Sequence, residues 1–149
     1  MRKLGLLIGS LSLIFASNIL PSEIGNCYLE KYFSSQNPPI PLNDNIKEIA
    51  KYNCSGNIIY IGIKNKIPGI LKLNINSDSK NFLLTHTMLK NYPTAIYIDK
   101  NLKKGTIAIK LNDKYSIIVF FKGTNYQAIL NQLKNLDFEK IKEEISYSN

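Results

Sequence analysis

Cys27, Cys54 and His86 are the side chains of this 149-residue chain best suited to covalent or metal chemistry. A thiolate activated by an imidazole is a nucleophile, so a small hydrolase could use them. No third orienting residue and no family signature accompanies the pair. Outside a reducing compartment, two cysteines are most simply one disulfide. Joining Cys27 to Cys54 would close a loop of roughly 27 residues and stabilise the fold by about 3.5 kcal/mol as an upper estimate. In a reducing compartment both are free thiols. A single histidine, with no Cys-x-x-Cys or His-x-x-x-His spacing, argues against a metal centre. Gly123 and Thr124 are followed by no P-loop lysine, and there is no Gly-x-Ser-x-Gly elbow. Asp99 and Asp113 sit at expected turns, and Glu143 and Glu144 on a lysine-bearing helix. The expectation is a protein without catalytic residues, cofactor or metal.

The compartment decides which sulfur chemistry applies, and the first residues speak to it. Arg2 and Lys3 precede an apolar run from Leu4 to Leu20, and Pro21 and Glu23 end it. That is the order of an export signal. The run of seventeen residues lies at the short limit of a membrane span, which needs about 20. Gly5, Gly9, Ser10, Ser12, Ser17 and Asn18 weaken it further as a span. Ala16 and Ser22 are small residues at which cleavage could occur, but neither completes an A-x-A pattern. The expectation is an exported protein, whether secreted, periplasmic or on the cell surface. The alternative is a chain anchored in the membrane by residues 4–20. Residues 1–22 then form a signal peptide or anchor, 23–41 an extension with a proline-rich spacer, and 42–149 a single domain.

The net charge of +8 is carried by lysine, because Arg2 is the only arginine. A nucleic-acid surface usually recruits arginine for bidentate contacts, so the composition argues against nucleic acid as a partner. The densest basic stretch contains Lys100, Lys103, Lys104, Lys110, Lys114 and Lys122, with Tyr97 and Tyr115 among them. Tyr97, Lys103, Lys104, Tyr115 and Phe121 are the candidate interaction surface, serving a protein partner or self-association. The competing reading is a solvated sheet face with lysine-rich turns. Asn53-Cys54-Ser55 fits a glycosylation sequon.

These residues need elements to position them. Cys27 to Phe33 reads as a short helix capped by Asn26. Ser34 to Pro41 reads as an extended spacer. In Asn43 to Tyr52, Ile46, Ile49 and Ala50 share one helical face, and Ser55 and Gly56 stop the helix. Asn57 to Ile63 and Ile70 to Asn76 read as a strand pair around the turn Lys64 to Gly69. Asp78 to Asn91 has helical spacing through Phe82, Leu84, Met88 and Leu89, ended by Pro93. Thr94 to Asp99, Gly105 to Leu111 and Tyr115 to Phe121 read as strands joined by short turns. Thr124 and Gln127 form a capping box for a final helix. Its stripe of Tyr126, Ile129, Leu130 and Leu133 is offset from Phe138, Ile141 and Ile145. A break near Asn135 to Asp137 follows, with Asp137 capping a second helix. The expected fold is α+β: a five-stranded antiparallel sheet, helices mainly on one face, in the order α-ββ-α-βββ-α.

This order resembles the profilin-like group, and within it the Roadblock and longin domains. Thr94 to Leu133 carries the resemblance most closely, and the helix–hairpin–helix from Ile46 to Asn91 extends it to about two-thirds of the chain. The resemblance implies a non-enzymatic domain that associates through sheet edges and helices. The export signal and the break at Asp137 depart from that group. The sequence thus supports an exported or envelope-associated binding or assembly module. The alternatives are a membrane-tethered adaptor facing the cytoplasm and a small exported hydrolase using Cys or carboxylate chemistry.

Overall fold

The computed structural model describes residues 18–33 and 45–147. Residues 1–17 of the expected leader 1–22, and the spacer Ser34 to Pro41, lie outside the described residues. The strands are β1 (Glu23–Ile24), β2 (Cys27–Phe33), β3 (Ile46–Cys54), β4 (Asn57–Lys64), β5 (Ser77–Asp78), β6 (Phe82–Leu89), β7 (Tyr92–Asp99), β8 (Lys104–Lys110) and β9 (Ser116–Lys122). The helices are α1 (Gly69–Lys72), α2 (Tyr126–Leu133) and α3 (Phe138–Tyr147).

All nine strands form one antiparallel sheet in the order β1-β2-β3-β4-β9-β8-β7-β6-β5. Two meanders, β1 to β4 and β5 to β9, meet where β4 pairs with β9. The segment from β4 to β5, which contains α1, crosses from the middle of the sheet to its far edge.

This corrects the five-stranded α+β arrangement. Cys27 to Phe33, most of Asn43 to Tyr52 and Phe82 to Leu89 are strands, whereas helices were expected. The cause is turn chemistry. Ser55 and Gly56 have φ of 54° and 93°, and Lys90 and Asn91 have 51° and 71°. Two successive positive φ values make the two-residue hairpin turn that matches strand twist. What reads as a helix stop is therefore a reversal between paired strands. In β3, a register shift between Ile46 and Glu48 breaks the alternation. Coverage of both faces at Ile49 and Ala50 then imitates a helical stripe. Ile70 to Asn76 is corrected as well: it begins as α1 and leaves Leu73 and Ile75 exposed instead of pairing as a strand. With these changes the helix–hairpin–helix from Ile46 to Asn91 disappears, and with it the element order shared with the profilin-like group.

The final helical region breaks at Asp137, whose Oδ1 accepts from the Lys140 amide at 3.1 Å. The first cap is Asn125 rather than Thr124, with its side chain accepting from the Ala128 amide. Ile129, Leu133, Leu136, Phe138, Ile141 and Ile145 pack on one face of the sheet, against Tyr52, Ile61, Val119, Ile107 and Ile96. Lys90, in the β6–β7 turn, donates to the carbonyls of Lys134 and Leu136 at 3.0 and 2.9 Å. A cation there satisfies the exposed carbonyls at the end of α2.

Cys27 and Cys54 are joined by a disulfide and face each other across β2 and β3. The bond fits an oxidising compartment. No helix among the described residues is long and apolar enough to cross a membrane.

Candidate functional site

Alternation along each strand places every second residue on the face away from α2 and α3. The register aligns these residues into rows. Tyr60, Phe120, Thr106 and Tyr97 are consecutive cross-strand partners over β4, β9, β8 and β7. The next row on the same face, toward the Ser116 end of β9, contains Gly62, Ile118, Ala108 and Ala95. The small residues in that row make room for the crossover. Ile70 and Leu71 pack there against Ile49, Ala108 and Ile118.

Two hydrogen-bonding groups fasten the crossover to the sheet. His86 Nε2 donates to the Ile70 carbonyl at 2.8 Å, and its Nδ1 lies 2.9 Å from the Asn76 side-chain oxygen. The Ser116 hydroxyl donates to the Lys66 carbonyl at 2.6 Å. His86 thus spends both ring nitrogens on holding a strap, and both cysteine sulfurs are spent on the disulfide. With both sulfurs bonded to each other, no thiolate is present for a Cys–His nucleophilic pair.

The strap covers the part of this face around Ile49, Ala108 and Ile118. Beside it lies a concavity of about 740 Å³, lined by Lys51, Ile58, Tyr60, Tyr97, Thr106 and Phe120 and rimmed by Leu102, Lys104 and Lys122. Aromatic contacts extend its wall on both sides. Phe33 lies 6.2 Å from Tyr60, and Phe82 stacks on Tyr97 at 6.0 Å. Tyr97 is 37% exposed and Leu102 65% exposed, so this surface is open to solvent.

Charge is uneven around this rim. Lys104 and Lys122 are direct cross-strand partners. Like charges so placed repel, and an anion between them removes the penalty. Asp99 faces Lys104 from β7, but its Oδ1 is engaged by the amides of Asn101 and Leu102, both at 3.0 Å. Across the groove, Lys51 is 3.4 Å from Glu30. A hydrogen bond from Asn53, then the neighbouring Lys51, hold the Glu30 carboxyl below its ordinary value.

The surface residues expected from sequence are split by this geometry. Tyr97 and Lys104 line the groove, and Lys103 is exposed in the adjoining turn with φ of 53°. Phe121 borders the groove, but its ring turns to the covered face and lies over Gly105. Tyr115 is buried at the other end of the sheet. Phe120, Thr106, Ile58 and Lys51 are among the lining residues that sequence reasoning did not select. The run Ile117 to Phe121 is apolar at every position, so its parity carried no signal. Lys51 lay in a segment with helical spacing.

Among the described residues, no group of His, Cys, Asp and Glu could hold a metal ion. No family model matches the chain, and no curated protein or solved structure matches it either.

Proposed function

We propose that this chain is an exported, disulfide-stapled binding module, non-catalytic, whose groove holds an acidic, aromatic-bearing segment of a partner protein. The observation that carries the reading is the partly covered sheet face. Strands that bury one row of aliphatic residues under helices present Tyr60, Phe120 and Tyr97 on the other side, with no helix over them among the described residues. An exposed apolar surface rimmed by polar groups marks an interaction site. Aromatic anchors supply contact area at low entropic cost, and paired lysines select an anionic partner. Export is supported by the disulfide and by the charged, apolar leader.

The test is binding of the intact protein to synthetic peptides in which Asp and Glu alternate with Tyr and Phe. Saturable binding that weakens with salt is expected. The double variant Lys104→Glu/Lys122→Glu should weaken it at least roughly tenfold, equivalent to about 1.4 kcal/mol. Tyr97→Ala should also weaken it, with the melting temperature nearly unchanged. Equal binding by wild type and the double variant would overturn the reading. Tighter binding to single-stranded oligonucleotides than to any peptide would overturn the choice of a protein partner.

A further inference from the structure

The end of the apolar leader is built into the folded domain. The amides of Ile19 and Leu20 donate to Oε1 and Oε2 of Glu48 at 2.8 and 2.6 Å. The Tyr32 hydroxyl donates to the Leu20 carbonyl, and the Tyr52 hydroxyl to the Pro21 carbonyl, each at 2.6 Å. Leu20 and Ile24 are each 1% exposed and belong to the main core. Glu48 is only 9% exposed. A carboxylate that deep is costly unless hydrogen bonds compensate it. Here two backbone amides, from residues 19 and 20, offset part of that cost.

This shortens the apolar segment available to a membrane. With Ile19 and Leu20 in the core, the run left over is Leu4 to Ala16, thirteen residues. As a helix it would reach only about 20 Å, against a hydrocarbon layer of about 30 Å. It falls within the length range of the apolar part of a cleavable signal. Cleavage after Ser22 would strip away Ile19, Leu20 and Pro21. Glu48 would lose both donors, and Tyr32 and Tyr52 would lose their acceptors.

From this geometry, we propose that the leader is removed at the Ala16–Ser17 bond, and that Glu48, Tyr32 and Tyr52 form a clamp that retains the new N-terminal segment. The inference rests on the export reading above. The step is hydrolysis by a leader peptidase of the exporting membrane. The Ala16 carbonyl carbon gains the oxygen of water, the bond to the Ser17 nitrogen breaks, and that nitrogen leaves as an amine that takes up a proton.

The full chain is expressed in a secreting host and recovered from outside the cytoplasm. Intact mass and N-terminal sequencing should give a chain beginning at Ser17. A start at Glu23 or at any other residue overturns the inference while leaving export standing. A chain that still begins at Met1 in the cytosol, with free thiols, overturns the export reading itself. The clamp has its own readout. Aminopeptidase trimming of the mature protein should stall before Leu20 and run at least roughly tenfold faster in Glu48→Ala. Tyr52→Phe, which removes only a hydroxyl, should also trim faster if the alanine variant does not fold. Unchanged trimming in both variants overturns the clamp.

Discussion

Ile61, Val119, Ile107 and Ile96 stand side by side across β4, β9, β8 and β7, and all four are fully buried beneath α2 and α3. One residue earlier or later on the same four strands, Tyr60, Phe120, Thr106 and Tyr97 form a parallel row that is half-buried or exposed. The strands, their hydrogen bonds and their twist are shared. Only the cover differs. The covered row is aliphatic because branched side chains fill the layer between sheet and helices at crystal-like density. The open row is aromatic and hydroxylic, flanked by lysine: Tyr60, Thr106 and Tyr97 each combine an apolar body with a hydroxyl that water accepts, and Phe120 is the one wholly apolar member. One face therefore carries stability, and the other is the one to which the proposed function assigns recognition.

The largest effect should come from a like-for-like truncation on the two sides. Phe138→Ala empties a site under the helices and should cost about 3–5 kcal/mol. Phe120→Ala, on the open row, should cost about 1 kcal/mol or less. Urea unfolding reads both, and equal losses would mean that the two faces are not energetically distinct. Next is the staple. Cys27 and Cys54 are separated by 27 positions. Unfolding with and without reductant should differ by up to about 3.5 kcal/mol. No difference would show that the N-terminal hairpin contributes little to the fold. A smaller loss is expected at Gly105, where an added Cβ would lie 2.2 Å from Cζ of Phe121. Gly105→Ala should cost about 1–3 kcal/mol through displacement of that ring. The neighbouring Thr106→Ala, facing the groove, should change the melting temperature little.

The smallest effect is electrostatic and belongs to the covered side. Burial raises the Glu48 carboxyl above its ordinary value of 4.5, and the amides of Ile19 and Leu20 only partly offset this. A raised acid is more easily protonated in the folded state than in the unfolded chain. Its contribution to stability is complete below pH 4.5 and declines as pH rises through the folded value. The stability of wild type relative to Glu48→Gln should therefore fall as pH increases from about 4 toward neutrality. A flat difference across that range would place the Glu48 carboxyl in a more solvated setting than its contacts indicate.

Within the sequence, several local features were legible. The only two cysteines could pair only with each other inside the chain. The alternation of Thr106 to Leu111 marks β8, and the offset apolar stripes mark the break between α2 and α3 at Asp137. Other segments misled for identifiable reasons. Phe82 to Leu89 buries residues on both faces, so its apolar spacing imitates a helix. Its true signature was the Lys90-Asn91 turn, since asparagine tolerates positive φ better than most residues. The candidate site was the least legible part. Tyr97 and Lys104 could be chosen as exposed aromatic and basic residues, but Phe120 could not be separated from Phe121.

What the sequence determined by itself was therefore local: the charged apolar leader, the one possible intramolecular cysteine pair and the elements whose pattern or caps were complete within a short window. What the tertiary structure decided was which face of each strand is covered. That depends on register between β3, β4, β9, β8 and β7, which join two meanders distant along the chain, and on where the α1 crossover and helices α2 and α3 lie. A one-residue change in register exchanges the two faces of a strand. Neither the groove nor the clamp on Ile19 and Leu20 exists until those long-range pairings form.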